Sequence, residues 1–101
     1  MDCLMPTCKE YVDNIRKAIP LEDLYMQLAE EASELSQACL KMARKIRNTN
    51  PTPKDEDAIR NDILEEYTDV RLVATDILGL EPDELIEKYK LYRWSKRLER
   101  K

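Results

Sequence analysis

Two acidic clusters, Glu30-Glu31-Ala32-Ser33-Glu34 and Glu65-Glu66-Tyr67-Thr68-Asp69, hold the residues of this chain most able to do chemistry. Positions three apart lie on one side of a helix, so Glu31 with Glu34, and Glu66 with Asp69, each form a two-pronged oxygen donor. Both pairs interrupt apolar stripes: Glu31 falls between Leu28 and Leu35, and Glu66 between Ile63 and Val70. A carboxylate turned toward a core is costly unless a cation compensates it. Two antiparallel helices would bring the four groups into one small volume, where they stay ionised together only around bound cations. All-oxygen ligation in a chain without His suits a hard ion, Mg²⁺ or Mn²⁺, and Mg²⁺ usually takes further ligands from substrate phosphates. The clusters therefore predict a divalent-metal site and a phosphorylated substrate. Glu30 and Glu65 have mixed neighbours one turn away and read either as a base beside the metal or as plain surface.

A phosphate chain also needs protein cations. Lys41 and Lys45 follow Glu34 on the same side of its helix, about 10 and 16 Å further along at ~1.5 Å per residue. Lys90, Arg93 and Arg97 share one face of a later helix and offer a clamp for phosphates, a task suited to the forked guanidinium. Basic residues late in a helix also complement its dipole, which is the alternative reading of all five. Trp94, Tyr89, Tyr92 and Tyr25 are candidates for stacking on a base or for packing in a core or subunit interface, and Asn61 and Gln27 for hydrogen bonding to a base or sugar or for solvent.

The elements that must position these groups are helices. One Gly, no Phe, 38% charged residues and long stretches of Glu, Lys, Arg, Leu and Ala leave no room for Gly-marked hairpins or alternating β-branched runs. Thr7-Cys8-Lys9-Glu10 has the form of a capping box, and Cys8, Val12, Ile15 and Ile19 then repeat at one-turn spacing until Pro20. Pro20 suits the first turn of a second helix, whose inner stripe runs Leu24, Leu28, Glu31, Leu35, Cys39, Met42, Ile46, with an end near Arg47. Asn48 to Pro53 is a breaker cluster and predicts a mobile loop, with Thr52 as N-cap, Pro53 in the first helical position and Asp55 completing the start signal. A third helix carries Ile59, Ile63, Glu66, Val70, Val73 and Ile77 on one stripe and ends at Gly79; Pro82, Asp83 and Glu84 open a fourth that reaches about Leu98. The fold class is thus all-α, a four-helix bundle in one domain over residues 1–101. Two long amphipathic helices in so short a chain leave apolar surface uncovered, which predicts a homodimer or a dimer of dimers.

Composition narrows the partners. A net charge of −4 disfavours nucleic acid as the main partner. Cys3, Cys8 and Cys39 are odd in number and fit no zinc spacing, so they read as free thiols in a reducing compartment. No apolar run approaches the ~20 residues of a membrane span, and Met1 to Cys8 lacks the apolar core of a secretory signal, so the expected location is cytoplasmic, with no membrane partner.

The arrangement Glu-Glu-x-x-Glu followed on the next helix by Glu-Glu-x-x-Asp, within the run Gln27 to Leu35 and again at Glu65 to Asp69, resembles the signature of the MazG-like all-α nucleoside triphosphate pyrophosphohydrolases. The similarity covers roughly residues 20–98. It implies hydrolysis of a nucleoside triphosphate to the monophosphate and pyrophosphate, with Glu31, Glu34, Glu66 and Asp69 as Mg²⁺ ligands and Glu34 or Glu30 as the base. A different reading treats the clusters as surface charge on a helical module that docks on a partner protein. It predicts fully solvated glutamates and no metal dependence.

Overall fold

The computed structural model describes residues 8–48 and 54–99, and within them the chain is helical with no strand. The helices are α1 (Cys8–Ala18), α2 (Leu21–Arg47), α3 (Glu56–Arg71) and α4 (Glu84–Glu99), with α3 running on through a π-helical segment, Leu72–Ile77.

Local chemistry accounts for the boundaries. Pro20 stands one position earlier than expected, as the residue before α2 with φ −58° and ψ 149°, because its ring disfavours helical continuation from Ile19. Its carbonyl still accepts from Leu24 at 3.1 Å. At the other end, Asn48 adopts the left-handed conformation, φ 55°, and its N–H returns to the last carbonyls of the helix. The predicted cap at Thr52, the first-turn Pro53 and the mobile loop fall on residues 49–53, outside the described residues, as does Thr7 of the predicted capping box. The start of α3 lies later than expected: Asp55 is itself the N-cap, its carboxylate accepting from the Ala58 N–H at 2.8 Å. Asp83 opens α4 in the same way, accepting from Leu85 and Ile86 at 2.9 and 3.1 Å.

The π-helical segment was not expected from periodicity. Its last turn closes on Gly79, φ 71°, whose N–H donates to Thr75 while Leu80 donates to Ala74, at 3.1 and 2.8 Å. The free carbonyls of this end also receive Arg16 from α1: Nε donates to Ile77 O at 2.7 Å and Nη2 to Asp76 O at 3.0 Å. A guanidinium is well matched to the negative end of a helix, so α1 is fastened to the end of α3 by charge as well as by its apolar stripe.

The core is thin. Among the described residues only Leu24, Ile59 and Val73 are buried, one each from α2, α3 and the π segment. The principal packed seam joins α2 to α3 and sets the two acidic clusters side by side. Along α2 the predicted stripe holds at Leu24, Leu28, Glu31, Leu35 and Met42, whereas Cys39 and Ile46 are exposed and Ala38 and Lys45 turn inward instead. The reason is geometric: at 3.6 residues per turn, repeated steps of four drift off the face and a step of three restores it. Ile59 has no exposed surface, so Ile59→Ala is expected to lower stability by about 2–5 kcal/mol, read from the denaturant midpoint. A loss under about 0.5 kcal/mol, the range of ordinary surface changes, would mean that the seam is not anchored there.

The predicted fourth helix is present, but all of α4 is exposed and it packs against no other helix to any substantial extent.

Candidate metal centre

Antiparallel pairing of α2 and α3 brings Glu31, Glu34 and Glu66 together, with one carboxylate oxygen of each within 4.8 Å of the others. Glu31 and Glu66 are half-buried and Glu34 is exposed, so the cluster opens to solvent on the Glu34 side. Glu31 Oε2 and Glu66 Oε2 are both shielded from solvent and have no hydrogen-bond partner. Buried carboxylate oxygens without partners are rare, since each loses its hydration without compensation. Two of them in one cluster leave negative charge that a cation could compensate. The donor set, oxygen only, is that of a hard divalent cation.

Electrostatics agree with the geometry. The Glu66 carboxyl is pushed above the ordinary carboxylate range, first by burial and then by the hydrogen bond its protonated form makes to Glu34. The negative charges of Glu34, Asp69 and Glu31 add to the shift. Each of these causes penalises the ionised form, and a divalent cation among the three would oppose them all.

Gln27, read from sequence either as a base or sugar contact or as a solvent-facing residue, donates from Nε2 to Glu31 Oε1 at 2.7 Å. It holds one oxygen of Glu31 in place and leaves the other facing the cluster, the orienting role that hydrogen bonds play behind metal-ligating groups.

Asp69 lies outside the group of three converging oxygens but close enough to raise Glu66, and it lines a shallow hollow with Glu65, Glu66 and Thr68. Glu30 and Glu65 are exposed and also stand outside the cluster. Of the two ways of reading the doubled glutamates, the second member of each pair is the one that turns inward.

A cleft of about 330 Å³ adjoins the cluster, lined by Gln37, Leu40, Lys41, Arg44, Asp62 and Glu66, among others. Lys41 shares this cleft with Glu66. Arg44 shares that cleft and was not singled out by sequence; its spacing of three from Lys41 carries the same signal as the spacing of four that selected Lys45. Lys45 is half-buried on α2 but does not line the cleft. Asp62 is bound by Lys54 at 2.7 Å, and this carboxylate holds the Lys54 ammonium above its ordinary value.

Lys90, Arg93 and Arg97 line no cleft with the carboxylates, and among the described residues α4 makes no extensive contact with α2 or α3. Arg93 lies over the Tyr89 ring, 5.6 Å from its centroid, and Arg93 and Arg97 share a shallow groove with Tyr92 and Lys96. Trp94 and Tyr25 are exposed. No helix among the described residues is long and apolar enough to cross a membrane.

Comparison with protein-family models, curated proteins and solved structures gives no match to this chain. The class that fold and site define is accordingly a physical one: an all-helical protein with a three-carboxylate cluster at the seam of its two longest helices.

Proposed function

We propose that this chain is a Mg²⁺-dependent nucleoside triphosphate pyrophosphohydrolase of the MazG-like kind, acting in the cytoplasm on the nucleotide pool. One observation carries the reading: carboxylates from two helices converge within 4.8 Å, and two of their buried oxygens lack partners. The alternative of a docking module with solvated surface charge does not account for those buried oxygens.

Glu31, Glu34 and Glu66 would hold the ion, with Asp69, one turn beyond Glu66, as the next donor in line; Mn²⁺ would suit the same oxygens. When bound, Mg²⁺ neutralises charge developing on the phosphate oxygens and lowers the pKa of a coordinated water. The chain's own groups do the rest. Lys41 and Arg44 attract the phosphate tail into the cleft beside Glu66. Gln27 keeps Glu31 aligned. Glu34, the exposed member of the cluster, or Glu30 beside it, accepts the proton of the attacking water. The water oxygen bonds to the α-phosphorus, the bond from that phosphorus to the bridging oxygen breaks, and pyrophosphate leaves with both of its phosphorus atoms.

Incubation with a panel of ribo- and deoxyribonucleoside triphosphates, with and without Mg²⁺, tests this reading. Monophosphate and pyrophosphate are expected only with the metal. Diphosphate and phosphate as products, or no turnover of any triphosphate, would refute it. Arg44→Ala is expected to raise KM for the preferred triphosphate about tenfold, the loss of roughly one charge-assisted hydrogen bond, with a smaller change in kcat. An unchanged KM would remove Arg44 from the site.

A further inference from the structure

The cleft beside Glu66 holds a group that the phosphate role of Lys41 and Arg44 does not explain: a carboxylate, Asp62, stands in its wall. A bare acid there would repel the anion that the two cations attract. Asp62 is not bare, because its Oδ2 accepts from Lys54 Nζ at 2.7 Å.

This ion pair differs in kind from Lys9–Asp13, Glu84–Lys88 and Lys96–Glu99, each of which joins residues three or four apart on one helix. Lys54 lies just ahead of the α3 cap and reaches past two helical turns to Asp62. Fastening the start of α3 does not account for that reach. Asp55 already caps the helix, and an exposed ion pair adds little to stability. The Lys54 and Asp62 side chains are 51% and 37% exposed, so a ligand can meet the pair from solvent.

The effect of the reach is a third cation at the cleft. Lys41 and Arg44 stand on the α2 wall, and Asp62 holds the Lys54 ammonium at the α3 wall, one turn or about 6 Å along the helix from Glu66. Cations on both walls suit a ligand with negative charge spread along its length better than a single compact anion. The volume, about 330 Å³, is at the small end for ligand pockets and matches a phosphate chain more closely than a whole nucleotide. An ammonium has three N–H donors, and the bond to Asp62 leaves two for such a ligand.

We propose that this cleft binds a linear polyphosphate through Lys41, Arg44 and Lys54 without need of a metal ion, and that Asp62 is the residue that positions Lys54. That the polyphosphate is the tail of a nucleoside triphosphate rests on the hydrolase reading; the site itself does not.

Inorganic tripolyphosphate, titrated into the full chain in EDTA at low ionic strength and followed by calorimetry, tests the site apart from metal and turnover. Saturable binding is expected, weakened about tenfold in Lys54→Ala by loss of a charge-assisted hydrogen bond and largely retained in Lys54→Arg. The sign of Asp62→Ala is the sharper readout. Removing a negative charge would by itself tighten anion binding, whereas loss of the Lys54 anchor weakens it several-fold, and weakening is the expected result. Because Asp62 acts through Lys54, the double variant should bind no more weakly than Lys54→Ala alone. Lys9→Ala, which breaks an ion pair on α1, should bind as the unaltered chain does. No binding by the unaltered chain overturns the proposal, as does a Lys54→Ala chain that binds equally well. Tighter binding in Asp62→Ala overturns the positioning role. Binding that follows Lys54, with no turnover of any nucleoside triphosphate, would count against the hydrolase reading and leave this site standing.

Discussion

Replacing Glu66 by Gln is expected to lower Mg²⁺-dependent turnover by more than about 100-fold, because loss of even an outer hydrogen-bonding partner of a metal ligand costs 10- to 100-fold and Glu66 is assigned as a ligand itself. The same change is expected to stabilise the metal-free protein. Glu66 is half-buried among Glu31, Glu34 and Asp69, and its carboxyl is held above the ordinary range by burial and by those neighbours. The amide resembles the protonated acid, donates to Glu34 as that acid does, and adds no charge. Opposite signs for activity and stability distinguish a metal ligand from a structural residue, whose loss lowers both. The pH dependence follows from the direction of the shift. The folded state binds the Glu66 proton more tightly than the unfolded chain, so the stability that Glu66 contributes to the metal-free protein is fully present below the ordinary carboxylate range. It falls as pH rises through that range toward the raised value, and then levels. In Glu66→Gln this decline should flatten. Thermal melts of both proteins across that range, without metal, check the sign. A wild-type melting temperature that rises through the same window more steeply than the variant's would contradict the assignment.

The second large effect is gained rather than lost. If α4 of one protomer completes the site of its partner, a Glu66→Gln chain and an Arg93→Ala chain, each nearly inactive alone, restore activity when co-expressed. In a randomly mixed dimer population half the molecules hold both chains, and each of these has one intact site, so about one quarter of wild-type activity is expected. Tandem affinity tags select the mixed species. Purified mixed dimers no more active than either parent would show that Arg93 serves no partner site.

The helices were readable in the sequence because each has its own stop and start. Pro20, Asn48, Gly79 and Asp83 act within a few residues of themselves, through φ restriction, left-handed backbone or a side-chain cap. The convergence of Glu31 and Glu66 was readable for a related reason. Two carboxylates on apolar stripes needed a common explanation, and the stripe placed Glu31 and Glu66 inward, while the mixed neighbours of Glu30 and Glu65 left open the exposed positions that the structure gives them.

What could not be read depends on contacts distant in sequence. Arg16 reaching the carbonyls of Asp76 and Ile77 is one such contact. The π-helical segment is another, because an added residue per turn alters which side chains of Leu72–Ile77 face α1 and α2 without altering composition. Gln27 is a local case: of the partners its amide could take, the structure gives it Glu31, four residues along on the same helix. Arg44 escaped because a helix late in its course is crowded with cations, and only the cleft shows which of them shares a wall with Glu66.

The most direct measurement is turnover of the preferred nucleoside triphosphate in ¹⁸O-labelled water with Mg²⁺, with products resolved by mass. The account predicts pyrophosphate without label and monophosphate carrying one labelled oxygen, and none of either in Glu66→Gln. Label in pyrophosphate or inorganic phosphate, turnover that persists without divalent metal, or undiminished turnover in the variant would contradict it.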